Sequence, residues 1–119
     1  IEPTIFTNVD NSMRIAQEEI FGPVYCVIPY TDADDAVRIA NDTQYGLESS
    51  VWTSDPDRGV ELARRILSGT VGVNSHNMDM AGPFGGYRQS GLGRELGPEG
   101  ISGYTQLKTI MPPIGAGLS

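Results

Sequence analysis

The sequence is poor in cysteine, histidine and basic side chains. Its single cysteine, Cys26, excludes an intrachain disulfide and a zinc site built from several cysteines. Eight lysines and arginines against fifteen aspartates and glutamates give a formal net charge of -7 at pH 7. That balance argues against binding to nucleic acid or to an anionic membrane. No apolar run is long enough to span a membrane and no signal-peptide layout is present, so a cytoplasmic location is the expectation.

An initiator methionine is also missing, since the chain begins Ile1-Glu2-Pro3. The length of 119 residues suits one small domain. The hydrophobic share of 39% is typical of a globular chain rather than a disordered one. We nevertheless expect a piece of a longer protein, incomplete as a domain.

Strand and helix signals alternate along the chain. The predicted strands are residues 4–7, 24–30, 49–53, 70–74 and 104–111, and the predicted helices are residues 13–19, 33–40 and 56–67. Thr31 and Asp32 suit the start of the second helix, and Asp55 before Pro56 suits the start of the third. This order predicts an α/β fold with a mostly parallel sheet, flanking helices and right-handed crossovers.

Two of these elements carry expectations about burial. Residues 24–30, Val-Tyr-Cys-Val-Ile-Pro-Tyr, are typical of an interior strand covered on both faces. Cys26 would then be buried and inert. In the second helix, Ala33, Ala36, Val37 and Ala40 recur at helical spacing, which predicts one buried stripe.

No generic catalytic or metal motif stands out. Ser75 and His76 are adjacent in a predicted loop, where they rarely meet as nucleophile and base. His76 and Asp79 supply two metal ligands at best. The glycine-rich residues 82–93 lack the context of a nucleotide-binding loop, and glycine there indicates a tight loop with left-handed backbone angles.

Taken in order, however, a set of short segments resembles the C-terminal part of aldehyde dehydrogenases, from about Pro3 to Ile110. The segments are Glu-Glu-Ile-Phe-Gly-Pro-Val at 18–24, Asn-Asp-Thr-Gln-Tyr-Gly-Leu at 41–47, Val-Trp-Thr at 51–53, Gly-Thr-Val at 69–71, Val-Asn at 73–74, Pro-Phe-Gly-Gly at 83–86, Ser-Gly-Leu-Gly-Arg-Glu at 90–95 and Tyr-Thr-Gln-Leu-Lys-Thr-Ile at 104–110. Their order makes chance matches improbable.

The resemblance implies a cofactor site and a substrate pocket. Glu19 would bind the nicotinamide ribose of NAD or NADP, and Phe21 would contact the nicotinamide ring. Without the resemblance, Glu19 is an exposed carboxylate at a helix end, where the helix dipole disfavours it. Residues near the aldehyde would be Ser75, His76, Asn77 and Phe84. No catalytic residue of the family is matched, because its nucleophile and general base are expected upstream of Ile1.

The resemblance also divides the chain. Residues 1–103 would be the C-terminal part of the catalytic domain, residues 104–111 an oligomerisation strand and residues 112–119 a flexible tail. The strand that begins at Tyr104 and ends at Ile110 would join subunits of a homo-oligomer. The implied function is NAD(P)-dependent oxidation of an aldehyde to a carboxylic acid by the intact enzyme, with the 119-residue chain inactive alone.

Two other functions stay open at this stage. The chain could be a non-catalytic remnant that associates with aldehyde dehydrogenase subunits through its terminal strand. It could also be an unrelated acidic α/β binding module, which a backbone that keeps Glu19 and Phe84 away from a common cleft would favour.

Overall fold

Two separate pairs of parallel strands organise the computed structural model, which describes residues 1–115. The elements in chain order are β1 (Thr4–Phe6), α1 (Arg14–Gln17), β2 (Val24–Cys26), α2 (Ala33–Asn41), β3 (Glu48–Val51), α3 (Pro56–Ala63) and β4 (Thr70–Val73), followed by 3-10 helices at Arg88–Ser90 and Pro98–Tyr104. β1 pairs with β2, and β3 pairs with β4. The predicted α/β class and parallel pairing are confirmed, but the described strands form two sheets instead of one.

The start of α2 follows the predicted capping. The Asp32 carboxylate accepts a hydrogen bond from the Asp35 backbone N–H at 2.9 Å. The Asp35 carboxylate in turn accepts from the backbone N–H of Thr31 at 3.1 Å and from the Arg38 guanidinium at 2.7 Å. The bond to the Asp35 N–H satisfies one of the donors that a helix N-terminus leaves without an intrahelical partner, and all these bonds join residues close in sequence.

The helix α3 also begins as predicted but ends earlier. Asp55 accepts from the Arg58 backbone N–H at 3.1 Å, directly before Pro56. After Ala63 the chain tightens, because the Arg65 N–H bonds to the Leu62 carbonyl at 3.0 Å in a three-residue step. The expected end at residue 67 is therefore wrong. The helix α1 is likewise shorter than residues 13–19, because Glu18 already has an extended backbone.

The expected interior strand at residues 24–30 is wrong in length and in burial. β2 holds three residues, Val24–Cys26, and the Tyr25 side chain is 70% exposed. The ladder cannot continue through Pro29, which has no backbone N–H. Cys26 is half-buried rather than buried, and its thiol donates to the Ile15 carbonyl at 3.5 Å.

Few apolar side chains of the described residues are buried. Val9 and Val37 are 5% and 9% exposed, and they are the only buried hydrophobic residues of that part of the chain. The predicted stripe on α2 is thus reduced to Val37, since Ala40 is exposed while Ala33 and Ala36 are half-buried. The reason is that this stripe faces an open cavity of about 470 Å³, which residues of β3 and α3 also line, so α2 does not pack tightly against them.

No strand forms at residues 104–111. Tyr104 ends the last 3-10 helix, and residues 105–113 follow without regular structure and exposed. A strand needs a neighbour for its backbone ladder, and none of the described residues offers one. Residues 112–115 are exposed as well, while the remainder of the predicted tail, residues 116–119, lies outside the described residues.

The glycine-rich segment folds back on itself through close backbone contacts. Phe84 and Glu95 form an antiparallel bridge with both N–H to carbonyl distances at 2.7 Å. A β-carbon on Gly85 would stand 2.2 Å from the Gly93 carbonyl oxygen. Of the glycines between residues 82 and 93, only Gly91 has a positive φ, at 113°, while the other positive φ in this interval, 54°, belongs to Arg88. Close approach, more than left-handed backbone, is therefore what requires glycine here.

Candidate functional site

A cavity of about 530 Å³ lies between the end of α1, the loop after α2 and the glycine-rich segment. Its lining includes Glu19, Tyr45, Glu48 and Gln89, and we name it the Glu19 cavity. Tyr45 comes from the connection between α2 and β3, and Glu48 is the first residue of β3. Its volume is in the range of small-molecule binding sites.

The two carboxylates after α1 have different surroundings. Glu18 forms a bidentate pair with Arg14, at 2.7 and 2.9 Å. Hydrogen bonding to that guanidinium lowers the pKa of Glu18. No cation of residues 1–115 lies within salt-bridge distance of Glu19, whose exposed carboxylate remains available to a ligand.

Phe21 is not brought into the lining of the Glu19 cavity. Its side chain is 94% exposed. The chain turns tightly after it, because the Gly22 N–H bonds to the Ile20 carbonyl at 2.8 Å. Within this chain the Phe21 ring therefore makes few contacts, and its face is exposed to solvent.

A second cavity, of about 300 Å³, lies beside Phe84, at the end of the loop formed by residues 74–84, and we name it the Phe84 cavity. Its walls are formed by Val71 of β4 together with Met78, Pro83 and Phe84. Glu48 lines both the Glu19 cavity and the Phe84 cavity. Glu19 and Phe84 thus line neighbouring cavities that share a wall, not one cavity.

The other three residues predicted near the aldehyde lie at the start of the same loop but do not line the Phe84 cavity. Ser75 is half-buried and its hydroxyl accepts from the Asn77 backbone N–H at 3.3 Å. His76 is exposed, with Nδ1 3.6 Å from the Glu48 carboxylate. His76 is therefore the residue that brings the start of this loop close to Glu48.

Sequence reasoning missed two residues of this region. Glu48 forms the wall shared by the Glu19 cavity and the Phe84 cavity. The sequence signal that could have pointed to it is a charged residue at the start of a half-buried strand. Asn74 anchors the loop, because its amide donates to the Thr53 carbonyl and accepts from the Thr53 N–H, both at 2.8 Å. Its φ of 50° is a conformation that asparagine adopts more readily than most residues.

Within residues 1–115, neither a metal site nor a membrane-spanning helix is found. Residues 1–115 contain no group of three or more His, Cys, Asp or Glu side chains that could hold a metal ion. Among their helices, none has the length and apolarity needed to cross a membrane.

Comparison with known proteins gives consistent relatives. The family model described as "Aldehyde dehydrogenase family" matches residues 1–110. Geranial dehydrogenase from Castellaniella defragrans is 53% identical over 110 residues, which are 92% of this chain and 23% of that protein.

Solved structures of aldehyde dehydrogenases also resemble this chain. An aldehyde dehydrogenase from Mycobacterium tuberculosis, complexed with NAD+, is 52% identical with a TM-score of 0.92, over 99% of this chain and 24% of that one. A mutant aldehyde dehydrogenase from Pseudomonas syringae, with NAD+ and octanal, is 51% identical with a TM-score of 0.82, over 86% of this chain and 21% of that one. The chain thus spans about a quarter of the length of these relatives, and it belongs to the aldehyde dehydrogenase family.

Proposed function

We propose that this chain forms the C-terminal part of an NAD(P)-dependent aldehyde dehydrogenase that oxidises an aldehyde to a carboxylic acid. The observation that carries the proposal is the available Glu19 carboxylate on a cavity of about 530 Å³. The backbone that carries Glu19 matches that of an NAD+-bound family member with a TM-score of 0.92. The NAD+ complexes of the relatives favour NAD over NADP.

The residues on the Glu19 side fit a nicotinamide riboside. An ionised carboxylate accepts hydrogen bonds from both hydroxyls of a vicinal diol, which is the role we assign to Glu19. The open face of Phe21 can restrain an aromatic ring that lies on it. When bound, the nicotinamide supplies the hydride acceptor, and the part of these two residues is to hold and orient it.

On the aldehyde side we assign the loop from Asn74 to Phe84. Phe84 and its apolar neighbours form a cavity wall, and Ser75, His76 and Asn77 lie at the start of the loop. None of these side chains is assigned a catalytic step. The nucleophile and the general base of the proposal belong to the rest of the enzyme.

We also propose homo-oligomerisation through residues 104–110 and a cytoplasmic location. Tyr104, Leu107 and Ile110 are exposed in this chain, and apolar side chains of this kind gain from burial in a shared sheet. Fractionation of cells that express the tagged enzyme tests the location.

Activity measurements test the main proposal. The complete enzyme should form reduced nicotinamide in the presence of an aldehyde and NAD+ or NADP+, and the 119-residue chain should not. Activity of the 119-residue chain alone would contradict the proposal. If no longer gene product exists and the chain co-purifies with a full-length relative, the alternative of a non-catalytic remnant would replace it.

A further inference from the structure

The segment that carries Glu19 has little structure of its own to hold it. α1 has four residues, none of them buried, and no side chain caps its N-terminus. The exposed Arg14–Glu18 pair lies within this segment, so it does not attach the segment to the rest of the fold. Some other contact must set the position of Glu19 relative to its cavity.

Gln17, the last residue of α1, makes such a contact. Its side-chain amide donates to the Asp42 carbonyl at 2.9 Å and to the Asn11 carbonyl at 2.7 Å. Asp42 is the C-cap that follows the last residue of α2. Of the α1 side chains, only Gln17 reaches the C-cap of α2 by a hydrogen bond in the described part of the chain.

Asn11 completes this network from the other side of α1. Its side-chain amide donates to the Asp42 carbonyl at 3.0 Å and to the Asp42 carboxylate at 2.9 Å. The start and the end of the segment around α1 are thus tied to one residue. Gln17 lies two positions before Glu19, and both side chains line the Glu19 cavity.

We propose that Gln17 is a positioning residue for the cofactor: by bonding to the Asp42 and Asn11 carbonyls it holds Glu19 where its carboxylate meets the nicotinamide ribose. This inference rests on the proposed function of Glu19. Both acceptors are backbone carbonyls, so the role depends on a donor at position 17 and not on the side chains at positions 11 and 42.

The test uses the complete enzyme and two substitutions of Gln17. Gln17→Met keeps length and helix propensity but removes both donors. It should raise the dissociation constant of NAD+ about threefold to tenfold, the effect of one or two modest hydrogen bonds, while the aldehyde KM changes less than about twofold. Gln17→Lys restores a donor of sufficient length and should bring the NAD+ dissociation constant back to within about twofold of the parent.

A matched control is Arg65→Leu. Arg65 also makes one exposed side-chain bond to an α2 residue, to Asp34 at 2.7 Å, but lines neither the Glu19 cavity nor the Phe84 cavity. We expect its NAD+ dissociation constant to stay within about twofold of the parent. A rise equal to that of Gln17→Met would show a general loss of structure and overturn the inference.

A double-mutant cycle separates this inference from the proposed function. In a Glu19→Gln background, Gln17→Met should change NAD+ binding less than about twofold, because the residue it positions is already altered. If Gln17→Met has the same effect in both backgrounds, the positioning role is wrong while the role of Glu19 stands. If Glu19→Gln alone leaves NAD+ binding unchanged, the proposed function of Glu19 fails first.

Discussion

At the scale of single residues, Gly69, which precedes β4, would bring an added β-carbon closer to another backbone than any other glycine of residues 1–115. A β-carbon there would stand 1.6 Å from the Gly85 carbonyl oxygen. The φ of Gly69 is not positive, so glycine is needed there only because the backbone of Gly85 lies so close. This contact joins the strand pair β3–β4 to the glycine-rich segment.

Gly69→Ala should therefore lower the free energy of unfolding by about 2–4 kcal/mol, because backbone must move to admit the methyl group. Gly93→Ala is the control, since a β-carbon there meets no atom within 4 Å. It should change stability by less than about 1 kcal/mol. Urea unfolding of the complete enzyme measures both, and equal effects would contradict the prediction.

Glu19→Gln tests the carboxylate directly. Removing the charge weakens hydrogen bonds from the ribose hydroxyls, since charge-assisted bonds are the stronger ones. We expect the KM for the cofactor to rise about tenfold and the aldehyde KM to change less than about twofold. Steady-state kinetics of the complete enzyme decide the matter, and an unchanged cofactor dependence would count against the assignment. Glu18→Gln serves as control, because Glu18 is already bound to Arg14.

Asp35 links stability to pH. Hydrogen bonding to Arg38 and to the Thr31 backbone lowers the pKa of Asp35. A carboxyl whose pKa is lower in the folded state contributes stability above its unfolded pKa, and that stability is lost as pH falls through the folded value. The stability advantage of the parent over Asp35→Asn should thus be full at pH 6 and shrink below about pH 4. Melting temperatures at several pH values test this, and an advantage that grows in acid would refute it.

At the scale of elements, local sequence signals decided where helices begin, and contacts with distant residues decided how far some elements extend. The starts of α2 and α3 were predictable, because Asp32 and Asp55 bond to backbone N–H groups within three residues of themselves. The end of α2 was predicted to within one residue, but the end of α3 and the extent of β2 were not predictable. They depend on which backbone groups find partners far along the chain, and that information is not in the local sequence.

Residues 104–111 show this dependence most clearly. Their sequence predicts a strand, yet without a neighbouring strand they stay outside any ladder. In the 119-residue chain at low concentration, their backbone amides should exchange with deuterium as fast as in an unfolded peptide. In the oligomer of the complete enzyme they should be strongly protected. Fast exchange in both states would rule out the proposed oligomerisation strand.

At the scale of the whole molecule, the chain is extended. Its radius of gyration is 20.1 Å, against about 14 Å for a compact domain of this length. Two buried apolar residues cannot offset the conformational entropy lost on folding. On the proposed function, we expect this surface to be covered by other parts of the enzyme or by other subunits.

The isolated chain should accordingly bind a hydrophobic dye and self-associate. Exposed side chains such as Trp52, Phe21 and Leu107 offer the apolar surface for both. Dye fluorescence should fall, per mole of chain, when the same residues are part of the complete enzyme. A monomeric chain without dye binding and with a cooperative unfolding transition would contradict this prediction.

The sequence by itself determined the family and the alternation of strands and helices, because ordered motifs and caps are local features of the chain. Only the tertiary structure decided that Glu48 separates the Glu19 cavity from the Phe84 cavity, that Gln17 ties α1 to Asp42, and that Phe21 lies outside the cavity lining. These facts join residues distant in sequence. The physical reason is that burial and long-range hydrogen bonds depend on which surfaces meet, and this chain leaves most of its apolar surface for other surfaces to cover.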